Sequence, residues 1–280
     1  MLMIRAELLK LTTTTAVKVA VIIGVVGLIL TQITLLTLLP ALASGAIGPG
    51  LDTLGVALPD FGLESHAAQL AALSPLGAST GSGSLGIAVL AVVILGVLAG
   101  TSDYRFGGIV TTALAQPRRG LILVAKIGAL ALTGLLVGFV YAAINLLTLI
   151  ISLPLAGAEL LVSTPELILV LVRGTVVVTL LVLLGLAVGL LARDQVVGIL
   201  TMLGLLLFEI IVQSIAQLVS GTLPLWAQIM PLSLAQSAIS SPINGGFPPV
   251  VALAVLAALV AVVLAGAGAA MRTRDICVLR

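Results

Sequence analysis

Few side chains in this sequence are placed to do covalent chemistry. The 280 residues include one histidine, His66, and one cysteine, Cys277. That excludes a paired-histidine zinc motif, a multi-cysteine metal cage and an internal disulfide framework. Gly81-Ser82-Gly83-Ser84-Leu85-Gly86 has the G-x-G-x-x-G spacing of a dinucleotide fingerprint. It follows no strand, so the strand–turn–helix context that the motif requires is absent. Gly120 to Lys126 has the outline of a phosphate-binding loop, but Ala125 stands at the second glycine and Ile127 at the Ser/Thr position. No catalytic residue, cofactor or metal is expected in the chain. ATP is not expected to bind it through a phosphate loop, and no nucleic-acid partner is expected.

The remaining candidates are polar groups inside apolar runs. Arg173 and Glu209 are the only charges well inside such runs, and an ionisable group in lipid is costly and usually faces a cavity or a partner. Glu209, Gln213 and Gln217 recur at i, i+4 and i+8, a polar stripe on one helix face. Tyr141, Asn145, Thr148 and Ser152 make a second stripe, and Thr31, Thr34 and Thr37 a third. As pathway candidates, Arg173, Glu209, Gln213, Gln217, Tyr141 and Asn145 compete with interhelical hydrogen bonding, worth about 0.6 kcal/mol each. Arg173 and Glu209 are expected to pair, their levels differing by about 8 Å at 1.5 Å rise per residue. The alternative for Arg173 is snorkelling outward.

These residues require a membrane to position them. Hydrophobic residues make up 61% of the chain and charged ones 8%, with mean hydropathy +1.37. A soluble domain carries about 25% charged residues. Apolar runs over residues 16–39, 85–102, 127–153, 167–191, 196–219 and 250–271 predict six membrane-spanning helices in one transmembrane domain. The fourth run inserts despite Arg173, because its 18 Leu, Ile and Val residues outweigh one central Arg. Eleven of the 12 Lys and Arg residues fall at one end or in the connections on that side, and none in the opposite loops. The positive-inside rule then puts both termini in the cytoplasm, and the richness in Arg, Ala, Val, Leu and Gly suggests a GC-rich bacterial genome and so a bacterial plasma membrane. A cleaved signal peptide is the rival for the first run, whose 24 residues exceed the usual h-region of about 7–15.

Outside the spans lie an outer loop at 40–84, an inner loop at 103–126 and a proline-broken apolar stretch at 223–249. The outer loop predicts a short surface helix near 64–73 and leaves His66 solvated. The proline-broken stretch reads as a re-entrant or interfacial hairpin with Trp226 near the headgroups. At the N-terminus, Ile4, Leu8 and Leu11 are expected on one face and Arg5, Glu7 and Lys10 on the other, as in an interfacial helix. A frayed tail is the alternative. Three G-x-x-x-G pairs, Gly96/Gly100, Gly134/Gly138 and Gly185/Gly189, permit close helix packing.

One stretch carries more order than a basic inner loop needs. Asp103-Tyr104-Arg105-Phe106-Gly107-Gly108 is followed by Thr111-Thr112, Leu114, Pro117-Arg118-Arg119 and Lys126. Pro117 resets the chain direction, and Arg118, Arg119 and Lys126 are expected to anchor the next helix at lipid phosphates. This order, with the opening Glu7-Leu8-Leu9-Lys10-Leu11, resembles the permease subunits of ABC-2 type transporters. The resemblance departs from that pattern at Gly108 and over Thr12–Thr15, where the family often has Thr and Arg.

The resemblance implies an all-α membrane protein of the ABC-2 permease fold, with an N-terminal interfacial helix and a re-entrant hairpin before the last span. It implies a permease dimer, of identical or different chains, with a separate ABC ATPase subunit that holds ATP and Mg. It assigns coupling to Asp103, Tyr104, Arg105, Gly107, Thr111, Thr112, Leu114, Pro117 and Arg118, and the interfacial helix to Glu7 and Lys10. The expected activity is export of a small or amphipathic molecule. An ion-coupled secondary transporter using Glu209 and a non-transporting membrane scaffold remain the alternatives.

Overall fold

The structure, a computed structural model, describes residues 2–43, 63–76, 86–105, 119–221, 224–239 and 246–273. Among the described residues every regular element is a helix. In chain order these are α1 (Leu2–Thr13), α2 (Thr15–Ile33), α3 (Leu39–Ala43), α4 (His66–Ala72), α5 (Ile87–Arg105) and α6 (Arg119–Ala156). They continue as α7 (Thr164–Ala192), α8 (Gln195–Ser220), α9 (Leu225–Gln228), α10 (Pro231–Ile239) and α11 (Pro249–Thr273). A π-helical turn, Thr34–Leu38, joins α2 to α3. It comes just before Pro40, which has no N–H to give the carbonyl of Leu36, and the wider turn absorbs that defect.

Six helices are long and apolar enough to cross a bilayer: Thr15–Leu42, Ile87–Arg105, Gly120–Ala156, Thr164–Ala192, Gln195–Ser220 and Pro249–Met271. Their outward faces are apolar too, as at Ile22, Val26, Leu136, Phe139, Ile151, Leu200 and Phe208, all at least 48% exposed. Such a surface suits hydrocarbon rather than water, which makes this an all-helical multi-pass membrane protein.

α7 is the central helix. It packs on α5, α6, α8, α10 and α11, and most of its residues from Val177 to Leu190 are buried. The glycine pairs allow these contacts. A Cβ on Gly96 would stand 2.0 Å from the Val182 carbonyl oxygen, and one on Gly185 would stand 2.2 Å from that of Val93. Gly134 and Gly138 meet the backbone of Thr179 and Thr175 at 2.9 Å in the same way. All three G-x-x-x-G pairs therefore sit at backbone-to-backbone crossings with α7.

α1 and the later part of α11 gather at one end of the bundle. Ile4 of α1 lies against Gly128, and Gly268 of α11 lies against Leu123. The third span starts at Arg119 rather than 127, because the apolar run Leu121–Ala125 continues the helix through Gly120 and Lys126. Arg119 and Lys126 are thus helical, and only residues 106–118 separate α5 from α6.

Two predicted surface features turn inward. Glu7 is 7% exposed and shares a face with Ile4 and Leu11, its i−3 and i+4 neighbours. The expected polar face with Arg5 is therefore wrong for Glu7. The outer-loop helix is found as α4, with Leu63, Gln69, Ala72 and Leu73 buried at 0–2% exposure on one side and Glu64, Ser65, His66 and Ala67 exposed on the other. The stretch predicted as a hairpin contains α9 and α10. α10 packs on α11 and α7, while Trp226 in α9 stays 59% exposed.

Candidate functional site

At the end where α1 meets α6, four charged side chains close a ring. Lys10 Nζ lies 2.9 Å from Glu7 Oε1 and 3.2 Å from Asp103 Oδ1. Lys126 Nζ lies 2.7 Å from Asp103 Oδ2 and 3.5 Å from Glu7 Oε2. Lys126 also donates to the Ala99 carbonyl at 3.2 Å. Two acids and two bases cancel, so the ring is neutral, and its Lys126 side chain is only 4% exposed. Lys126 is accordingly not the lipid-phosphate anchor expected from sequence. Its position about two turns inside α6 aims it at Asp103 on α5.

Burial acts to lower the pKa of Lys10. The hydrogen bond to Glu7 and the charges of Asp103 and Glu7 outweigh it and hold the pKa above the ordinary lysine value. The ring ties α1, α5 and α6 together, three elements whose charged members lie up to 119 residues apart in sequence (Glu7 to Lys126).

The next two residues reach other elements. Arg193 stands over the Tyr104 ring at 5.8 Å from its centroid. Arg193 is the one non-glycine residue of positive φ among the described residues (φ 59), closing α7 in a left-handed cap. Arg105 Nη1 donates to Gln195 Oε1 at the start of α8. There the Asp194 carboxylate caps the helix by accepting from the N–H groups of Val196 and Val197 at 2.8 and 3.0 Å. Asp103, Tyr104 and Arg105 thus join α1, α6, the α7–α8 turn and α8. Gly107, Thr111, Thr112, Leu114, Pro117 and Arg118 lie outside the described residues.

Glu209 is 3% exposed within α8. Its Oε1 accepts from the Ser233 N–H at 2.8 Å and from Gln213 Nε2 at 2.9 Å. Ser233 is in the first turn of α10, so the carboxylate meets the positive end of a helix dipole. The expected pairing with Arg173 is not formed. α10 occupies the level of Glu209, whereas Arg173 is half-buried beside Gly174, which abuts Pro75. Gln213 is buried with its Oε1 lacking a partner, while Gln217 is exposed, so the stripe splits at its outer turn.

Asn145 and Tyr141 are buried within the bundle. Tyr141 is 1% exposed, against Gly24. Asn145 accepts from Gln32 Nε2 at 2.7 Å and donates to the Leu73 carbonyl at 3.3 Å. Gln32 also donates to the Ala72 carbonyl at 2.8 Å. Gln69 donates to the carbonyls of Leu63 and Glu159 and accepts from the Leu161 N–H. Gln32 and Gln69 were not candidates from sequence, although Gln32 is the one amide in its apolar run. His66 is not simply solvated: its Nε2 lies 3.3 Å from Glu166 Oε2.

Among the described residues no group of three or more His, Cys, Asp or Glu could hold a metal ion. No protein-family model, curated protein or solved structure matches the chain.

Proposed function

We propose that this chain is the permease subunit of an ATP-driven transporter of the ABC-2 type, with ATP hydrolysed by a separate subunit docked at the end that holds the ion-pair ring. The observation that carries the reading is the contact between its two motif segments. Glu7 and Lys10 of the Glu-x-x-Lys-Leu opening meet Asp103 of the Asp-Tyr-Arg triplet in one ion-pair ring. Lys126, the last residue of the motif order, completes that ring.

The arrangement suits force transmission. A displacement of residues 106–118 acts on Arg105 and Arg119, the adjoining ends of α5 and α6. Asp103 and Lys126 pass it to α1, and Tyr104 and Arg105 pass it to the α7–α8 turn and α8. α9 and α10 form the re-entrant hairpin in this reading. The basic end faces the cytoplasm of a bacterial plasma membrane, the partners are an ABC ATPase holding ATP and Mg and a second permease chain, and the cargo is a small or amphipathic molecule moved outward.

Glu209 fits a proton- or cation-coupled mechanism less well, because its carboxylate already holds the Ser233 N–H and the Gln213 amide. Isolation of the chain from its native membrane in mild detergent tests the proposal. A co-eluting ATPase is expected. Its absence, together with proton-driven transport by the chain alone, would establish the secondary-transporter alternative.

A further inference from the structure

A helix that starts inside a membrane has unmet donors in its first turn. Up to four backbone N–H groups there have no partner within the helix, and hydrocarbon offers them none. At exposed helix starts this chain uses its own side chains. Ser65 accepts from the Ala68 N–H at 3.1 Å to cap α4, and Asp194 accepts from Val196 and Val197 to cap α8. α10 lacks that option. Met230 stands directly before it, where Ser, Thr, Asp or Asn would serve, and a thioether is only a weak acceptor. The first turn of α10 is nevertheless closed off, with Leu232, Ser233 and Leu234 at 1%, 4% and 0% exposure.

All four positions of that turn can be accounted for. Pro231, the first residue, has no N–H to satisfy. The Leu234 N–H donates to the Met230 carbonyl at 2.9 Å. The two donors between them turn to a carboxylate on another helix. The Ser233 N–H donates to Glu209 Oε1 at 2.8 Å, and the Leu232 N–H bonds the same carboxylate. Gln213, one turn further along α8, donates to Glu209 Oε1 at 2.9 Å and holds it in place. Glu209 lies near the middle of its span, about 21 Å from the Gln195 end and about 16 Å from the Ser220 end.

We infer that Glu209 is the N-cap of α10, supplied from α8 instead of from the residue before the helix, and that this cap lets α10 begin at mid-span depth. A local cap binds the N–H groups of the second and third helical residues, and Glu209 binds those of Leu232 and Ser233, the same two. Its oxygens also face the positive end of the α10 dipole. An apolar side chain at 209 would leave two buried donors without an acceptor. Glu209 is therefore a positioning residue. It fixes where α10 starts and ties α10 to α8, while α10 packs on α7 and α11 as well. This role is independent of whether ATP drives the protein, and its test requires no ATPase.

The test is to restore the cap from a different position in the full chain, purified in mild detergent. Glu209→Leu should lower the thermal midpoint by several degrees and speed hydrogen exchange of the 231–239 peptide by about tenfold or more. Glu209→Gln, which keeps an oxygen at the same reach, should lose less than half as much. Met230→Ser puts an acceptor at the local cap position. It should change the parent little and recover more than half of both losses in Glu209→Leu. Met230→Ala, which removes the methionine and adds no acceptor, should recover neither. If Glu209→Leu does not fold alone, folded yield by size exclusion is the readout, and adding Met230→Ser should restore it. Unchanged exchange of 231–239 in Glu209→Leu would overturn the cap. So would a defect that Met230→Ser leaves in full, equal rescue by Met230→Ala, or a Glu209→Gln variant as impaired as Glu209→Leu.

Discussion

Individual side chains decide most at the ring. Lys126 is the most buried of its four members, and removing one partner of a buried pair leaves an uncompensated charge. Lys126→Met should therefore destabilise by about 3–5 kcal/mol, and adding Asp103→Leu should recover part of the loss, read as thermal midpoints in detergent. The ring also sets a pH limit. Lys10 has its pKa raised in the folded protein from the usual 10.5. Its contribution is complete below the unfolded value and is lost as pH rises through the folded one. Spin labels at Leu9→Cys and Val124→Cys, both exposed, should keep a narrow distance distribution below pH 10.5 and broaden above it. Residue type signalled these charges, but their partners could not be read from it. Glu7 looked like a solvated charge until the helix face it shares with Ile4 and Leu11 was occupied by α6. Arg173 and Glu209 were expected to pair because helical rise put them within about 8 Å of one level and pairing would offset the desolvation of both. A backbone N–H of α10, which leaves no mark in residue type, satisfies Glu209 instead. Arg173→Leu and Glu209→Leu should accordingly add in their effects on stability to within about 0.3–0.5 kcal/mol.

The elements were more legible than their contacts. Six apolar runs gave six crossing helices, since backbone in hydrocarbon has few other solutions. The start of α6 was misplaced because Lys126 and Gly120 read as loop residues in a membrane context, while Asp103 made a charge inside the helix tolerable. The glycine pairs marked the crossings of α5 and α6 with α7. Spacing alone could not say which helix each one met. A side chain at Gly96 would strike backbone at 2.0 Å, which no rotamer relieves. Gly96→Val should abolish folded yield by size exclusion. Gly204→Ala, where nothing lies within 4 Å, should be tolerated and gain up to about 1 kcal/mol of helix propensity. α4 was legible as a helix, while the face it buries was not. Its burial depends on α5 being short, a relation among elements far apart in the chain.

The whole molecule has two unlike ends joined by one bundle. One end gathers α1, the later part of α11, the ion-pair ring and most of the basic residues among those described. The other is closed by amide-held irregular chain. That polarity is what the proposed division of labour needs, with ATP-driven force entering at the ring. Residues 106–118 are where the force would enter, and Leu114 is their large apolar side chain after the Thr pair. A charge there would meet a partly desolvated interface. The most direct measurement is ATP hydrolysis by the complex purified through this chain, comparing Leu114→Asp with Leu160→Asp on the exposed turn at the opposite end. The account predicts that Leu114→Asp loses most of the hydrolysis or of the bound ATPase while Leu160→Asp retains both. Full hydrolysis and full ATPase binding in Leu114→Asp would contradict it.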